Sequence, residues 1–501
     1  MRSRLTERRG AQQWYRQAKE TKRGGTGRRE SELFVVPVKP GNSRREDPVE
    51  GRGSRSEEPK EGTMTEASTS TTVSTKLQRI AELARTHPTM VLTNLARHID
   101  IEFLHEAYRR TRKDGAAGID GQTAAAYAAD LETNLRSLHQ RMKDGTYRAP
   151  PVRRVHIPKA SGTTRPIGIP TFEDKVLQRA VAMVLEAVYE QDFLDCSFGF
   201  RPGRSAHGAL EVTWETVMKL GGGHVVEVDI QSFFDELDHR RLWEILDQRL
   251  GDKGLRRLIG KWLNAGVLED GALRRSRAGT PQGGVISPLL ANIYLHEVVD
   301  TWFVRDVMPR LEGRSRMVRY ADDITMVFER ERDARRVMDV LAKRLDKYGL
   351  RLHPAKTRLV PFQRPRRSDD DDDQPGTFTF LGFTHYWGRS RKGQPVVKRK
   401  TSKESFRRGL QAINAWCRAN RHLPIRVQHV ALVRNVRGHY GYFGITTNSQ
   451  ALSNFVFRVR KLWRRWLDRR SHRARMDWER MSRVLQRYPL PAPRIVHSAR
   501  A

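Results

Sequence analysis

Met317-Val-Arg-Tyr-Ala-Asp-Asp-Ile-Thr-Met-Val-Phe328 sets two apolar runs on either side of Ala-Asp-Asp. Runs this short, rich in β-branched and aromatic residues and separated by so few polar ones, have hairpin spacing. Asp322 and Asp323 are therefore expected at the tip of a β-hairpin. Upstream, His224-Val-Val-Glu-Val-Asp-Ile230 reads as another strand, with Asp229 at its end. Hard Mg²⁺ takes carboxylate oxygens and keeps several waters, so a few converging aspartates suffice to hold it. Two such ions can activate a hydroxyl and stabilise a leaving pyrophosphate. Either acidic site alone is an ordinary turn, since turns favour Asp.

The charge distribution points outward from this centre. The chain has 501 residues and a net charge of +35. Residues 1–63 carry 16 Lys/Arg against 10 Asp/Glu, and residues 391–501 carry 27 against 4, so the middle is close to balance. Chemistry in the centre and a polyanion grip in the C-terminal arm are the natural division. In 452–467 the apolar residues Leu452, Phe455, Val456, Val459, Leu462, Trp463, Trp466 and Leu467 follow a helical stripe. Arg458, Arg460, Lys461, Arg464 and Arg465 fill the other face, as phosphate contacts or as solvated surface. Asp369 to Asp373 is read as a solvated acidic loop rather than a metal site. Only Cys196 and Cys417 are present, which excludes a disulfide framework or a cysteine-rich zinc module and fits a reducing cytoplasm. No apolar run reaches membrane-span length, and the basic N-terminus has no signal-peptide core.

Composition divides the chain further. Residues 1–75 read as a disordered basic extension, with Met64 as the working start and 1–63 as an addition to it. Helices and strands then intermix to about residue 385, including an amphipathic segment at 241–265, which is an α+β pattern. After residue 400 the pattern is helical.

Further blocks surround the two aspartate sites in a fixed order. Gly118-Ile-Asp-Gly121 comes first, then His156-Ile-Pro-Lys159 and Arg165-Pro-Ile-Gly-Ile-Pro170. Ser197-Phe-Gly-Phe-Arg-Pro-Gly-Arg-Ser205 precedes Glu227-Val-Asp-Ile-Gln-Ser-Phe-Phe-Asp235. Gly279-Thr-Pro-Gln-Gly-Gly-Val-Ile-Ser-Pro288 lies between the aspartate sites. Gly349-Leu-Arg-Leu-His-Pro-Ala-Lys356 and Phe380-Leu-Gly-Phe383 follow the hairpin. This ordered set, over residues 90 to 490, resembles the group II intron-encoded reverse transcriptases. Arg437-Gly-His-Tyr-Gly-Tyr-Phe-Gly444 is similar to their maturase arm.

The resemblance implies a right-hand polymerase. Fingers would occupy 76–220, a palm 221–390, an all-helical thumb/maturase domain 391–480 and a tail 481–501. It implies RNA-templated DNA synthesis with two Mg²⁺ ions (Mn²⁺ as a substitute), held by Asp229, Asp322, Asp323 and the Ile230 carbonyl. Lys159 and Arg165 would neutralise the incoming dNTP, although either residue type is commonly a surface salt bridge. Phe234 would be the gate that excludes a ribose 2′-OH, with Phe233 in the core. Gln282 and Gly283 would lie along nucleotide and template, and Lys356 would be a proton donor or phosphate contact. Phe200 and Arg201 would support the template, with a core role as the alternative for Phe200. Tyr440, Tyr442 and Phe443 would either stack on RNA or sit between helices. The implied partners are intron RNA, an RNA template with a DNA primer, dNTPs and target DNA. Some members continue into a Cys-rich endonuclease; these 501 residues contain no such segment, so no DNA cutting is expected. The competing readings are a reverse transcriptase of a retron, diversity-generating or CRISPR-linked system, and an RNA-binding splicing factor without polymerase activity.

Overall fold

The computed structural model describes residues 63–158, 164–269, 272–274, 283–365, 376–471 and 475–498. At its centre is a four-stranded antiparallel sheet in the order β6-β7-β3-β8. Its strands are β3 (His224–Asp229), β6 (Ser315–Tyr320), β7 (Asp323–Phe328) and β8 (Arg358–Pro361). The expected hairpin is β6–β7, and the expected strand ending on Asp229 is β3.

This sheet is buried on both faces, and period 2 decides which residue faces which way. Val226, Val228, Met317, Ile324, Met326 and Phe328 face one core. That core is shared with helices α5 (Phe172–Tyr189), α10 (Ser287–Leu295) and α11 (Glu331–Lys347). Val225, Val318, Tyr320, Val327 and Val360 face a second core, formed with α6 (Ala206–Leu220) and the C-terminal region. A one-residue register slip would exchange the two sets, so the pairing is strongly specified.

Two smaller sheets flank the centre. One has the order β2-β1-β4-β5, from β1 (Val152–Pro158), β2 (Thr164–Ile169), β4 (Val267–Glu269) and β5 (Ala272–Arg274). The N-terminal helices α1 (Thr63–Thr86), α2 (Ile101–Arg110) and α3 (Ala124–Ala128) pack on α5, with α4 (Leu131–Lys143) against α2 and α3. The other, β11-β10-β9, runs through β9 (Phe378–Phe380), β10 (Phe383–Arg389) and β11 (Pro395–Thr401). Four helices follow: α12 (Lys403–Asn420), α13 (Ile425–Phe443), α14 (Ser449–Asp468) and α15 (Trp478–Arg487). Leu452, Phe455, Val456, Val459, Trp463 and Leu467 on α14 are buried as the stripe requires. The Trp463 indole donates to Gln428 at 2.9 Å.

Four expectations need correction. Residues 63–75 are helical, because α1 crosses the boundary at 75; its low-propensity Thr/Ser stretch runs into Val73, Ile80 and Ala84, which join the first core. The segment 241–265 is two helices, α8 (His239–Leu246) and α9 (Lys253–Leu263). Asp252 separates them by capping α9 through the Leu255 amide. The region from 391 is not all helical, since strand β11 precedes α12. Residues 481–501 do not all form a tail: α15 runs to Arg487, Met481 and Leu490 are buried, and His497 bridges to Ile445. Asp369–Asp373 lies outside the described residues. Among the described residues no helix is long and apolar enough to cross a membrane.

Candidate active site

The β6–β7 turn is tight. Tyr320 pairs with Asp323 across it, and Ala321 takes the left-handed conformation, φ +56°. On the neighbouring strand Asp229 stands directly opposite Asp323. Like charges directly opposite across a ladder are destabilising, and a nearby cation relieves them. Lys356 supplies one, its ammonium 3.2 Å and 3.4 Å from the two Asp229 carboxylate oxygens.

The segment carrying Lys356 is fastened to the end of β3. His353 N–H donates to the Asp229 carbonyl at 2.8 Å and Gln231 N–H to the Arg351 carbonyl at 2.8 Å, while Ile230 bridges to Leu352. Asp229 N–H in turn donates to the Thr357 hydroxyl at 3.3 Å. The block 349–356 is thereby pinned beside the aspartates.

Asp229, Asp322 and Asp323 are all partly exposed, so their oxygens can meet solvent and substrate. Among the described residues no three His, Cys, Asp or Glu side chains are grouped so that they could hold a metal ion by themselves. Mg²⁺ does not need one: one or two carboxylates complemented by water and substrate phosphates are its usual set. The aspartates at the ends of β3 and β7 fit that requirement.

The two adjacent phenylalanines separate as expected. Phe233 is buried against Tyr294, with ring centroids 6.4 Å apart. Phe234 is half-buried beside it, on the short helix α7 (Phe233–Glu236). Gly283, φ +120°, presses on strand β2: a Cβ there would meet the Gly168 carbonyl oxygen at 2.4 Å. Its close approach is to protein backbone. Arg165 lies in β2 opposite Ile157. Lys159 and Gln282 lie outside the described residues.

The loop after Gly283 is held by a group that the sequence reading missed. Gln178 accepts hydrogen bonds from the amides of Val285 and Ile286 at 2.8 Å and 3.4 Å. Its own amide donates to buried Asp174 at 3.0 Å, which also accepts from the Trp262 indole at 2.7 Å and from the Tyr147 hydroxyl. A polar i, i+4 pair on the otherwise apolar buried face of α5 was the available signal.

Two basic residues leave the nucleic-acid face. Arg201 is buried, with its fork on the Glu190 carboxylate and on the carbonyls of Phe193, Leu194 and Ser197. All its donors are used internally, so it braces the Ser197–Ser205 block instead of touching a template. Phe200 is half-buried, 6.5 Å from the Tyr320 ring. Arg464 donates to the Met476 carbonyl at 2.8 Å and stacks 4.7 Å over Trp478, tying α14 to the segment before α15. Arg458, Lys461 and Arg465 remain exposed on α14. Tyr440 and Phe443 are buried between helices, and the Tyr442 hydroxyl donates to the Leu381 carbonyl at 2.9 Å.

Partly exposed aspartates at the paired ends of β3 and β7 and in the turn between β6 and β7 suit metal-assisted chemistry on phosphate. The profile described as "Reverse transcriptase (RNA-dependent DNA polymerase)" matches residues 157–385. The chain belongs to the reverse transcriptase family, among those encoded by group II introns. Protein YkfC of Escherichia coli is 32% identical over 385 residues, 68% of this chain and 96% of that one. The group II intron-encoded protein LtrA of Lactococcus lactis subsp. cremoris is 42% identical over 231 residues, 44% of this chain but 37% of LtrA. A 91 kDa protein in the cob intron of Schizosaccharomyces pombe is 33% identical over 246 residues, 47% of this chain and 30% of that protein.

Proposed function

We propose that this chain copies RNA into DNA at the β3/β7 aspartates and binds intron RNA through its C-terminal helices, assisting splicing and mobility as a maturase. In this reading the central sheet is the palm, the β2-β1-β4-β5 sheet belongs to the fingers, and α12–α15 form the thumb. The observation that carries it is the Asp229–Asp323 pairing next to the Asp322 turn.

Two Mg²⁺ ions at these carboxylates would supply the charge that lowers the pKa of the primer 3′-hydroxyl and offsets that of the departing pyrophosphate. Asp229 and Asp322 hold that charge, with Asp323 and the Ile230 carbonyl beside them. Lys356, already at the Asp229 carboxylate, is within reach of the pyrophosphate side and can neutralise or protonate it. Phe234 presents its partly exposed ring where the sugar of a dNTP would pass. Arg458, Lys461 and Arg465 contact RNA phosphates without reading sequence.

Asp322→Ala and Asp229→Ala should each abolish primer extension on an RNA template while RNA affinity stays within about twofold. Full extension by either variant would overturn the assignment.

A further inference from the structure

The turn that carries Asp322 is held from below by a charged group that has left water altogether. Arg319, on β6, points into the first core on the same side as Met317, where an apolar residue would serve packing. Its side chain and that of Asp300 are both 0% exposed. The guanidinium donates to Asp300 Oδ1 at 2.7 Å and Oδ2 at 2.5 Å, a two-point pair. It also donates to Asn292 Oδ1 at 2.9 Å, to the Ser197 hydroxyl at 2.8 Å and to the Ala321 carbonyl at 3.1 Å.

An ion pair buried this deeply is no better for stability than apolar side chains of the same volume, because desolvation cancels the attraction. Its distinguishing product is geometry. The Ala321 carbonyl belongs to the peptide that precedes Asp322, so the direction of that peptide decides where the Asp322 side chain emerges. Ala321 is left-handed without being glycine, a conformation that costs on the order of 1 kcal/mol. Something must hold it there.

The surroundings close the turn from the remaining sides. Arg319 N–H donates to the Cys196 carbonyl at 2.7 Å and Phe198 N–H to the Arg319 carbonyl at 2.8 Å, laying residues 196–198 along the edge of β6. A Cβ on Gly199 would meet the Ala321 amide nitrogen at 2.3 Å, so glycine is required for this approach. Asn292 also donates to the Gly199 carbonyl at 2.6 Å. Asp300 itself lies in a π-wound stretch, His296–Val307, continuing α10. Such i→i+5 winding is uncommon and is frequently found at functional sites.

We propose that Arg319 and Asp300 are the positioning residues of the metal-binding turn. Together they hold the Ala321–Asp322 peptide and so fix the direction in which the Asp322 carboxylate leaves the turn next to the Asp229–Asp323 pair. This rests on the reading of Asp229 and Asp322 as metal ligands.

The test uses the full-length chain with Asp300→Asn, Arg319→Lys and the milder Ser197→Ala, which removes one acceptor. Mn²⁺ affinity is read by electron paramagnetic resonance on the protein with template–primer, beside the Mg²⁺ requirement, kcat and KM for dNTP, and thermal unfolding. Asp300→Asn and Arg319→Lys should weaken Mn²⁺ binding about 10-fold and lower kcat about 10- to 100-fold. KM for dNTP and RNA affinity should stay within about twofold, and Ser197→Ala should give a shift of two- to threefold in the same direction. A purely structural role would lower the unfolding temperature but leave folded molecules with wild-type Mn²⁺ affinity; that result overturns the proposal. If Asp300→Asn does not fold, wild-type Mn²⁺ affinity in both Arg319→Lys and Ser197→Ala overturns it equally. Asp322→Ala separates the two readings. If it binds Mn²⁺ normally, the metal assignment falls and this proposal with it. If it loses Mn²⁺ while Asp300→Asn keeps it, the positioning role alone falls.

Discussion

Phe233 and Phe234 are neighbours in the chain with opposite surroundings, and they should respond differently to the same substitution. Phe233 is enclosed beside Tyr294, so Phe233→Ala should cost about 3–5 kcal/mol of folding stability in a urea titration. Phe234 is half-buried at the edge of the same core, and Phe234→Ala should cost clearly less stability than Phe233→Ala. What it should lose is discrimination between dNTP and rNTP, about 10- to 200-fold in the ratio of kcat/KM. An unchanged ratio would remove Phe234 from the gate position. Arg201 makes the same point for charge. Because its guanidinium is fully engaged by Glu190 and three carbonyls, Arg201→Ala should unfold or destabilise the chain by about 3 kcal/mol, leaving a carboxylate unpaired. A stable variant with weakened template binding would contradict that.

At the level of elements, helix α5 holds the loop that follows Gly283 through Gln178, which is itself bonded to Asp174. Burial pushes the Asp174 carboxyl up to about 6, against the pull of its Tyr147, Trp262 and Gln178 donors. Its ordinary value is 3.8. As pH falls, the folded chain therefore takes up this proton before the unfolded chain does. The stability from this group grows between about pH 6 and pH 4 and is lost on rising through 6. Asp174→Asn cannot titrate, so the stability of wild type relative to this variant should increase by about 2–3 kcal/mol on going from pH 7 to pH 4. Urea titrations of both proteins at pH 7, 5.5 and 4.5 read this directly; a constant difference would place the ordinary value in the fold.

For the whole molecule, the relevant quantity is where the surplus positive charge meets phosphate. The exposed face of α14 is the candidate, with Arg464 subtracted because it braces the helix end. Replacing Arg458, Lys461 and Arg465 together by Gln should flatten the dependence of log affinity on log salt by about 2–3. Extension on a short template should stay near the wild-type rate. An unchanged salt slope would move the phosphate contacts to another face.

Hairpin, strand and basic stripe were legible because their signals are local. Period 2, period 3.6 and adjacent aspartates need no knowledge of distant partners. That β3 lies beside β7, so that Asp229 stands opposite Asp323, came only with the fold. The segment 241–265 was misread because a single capping aspartate, Asp252, outweighs a continuous amphipathic pattern. Residues 63–75 were misread because their composition favours disorder while their few apolar side chains find a core. Function class was thus legible in the sequence itself, through an ordered set of blocks that resembles the group II intron-encoded reverse transcriptases. Only the tertiary structure decided which basic side chains stay exposed and which turn inward. Arg201, Arg319 and Arg464 are chemically identical to exposed arginines, and their carbonyl and carboxylate partners come together only when the chain has folded.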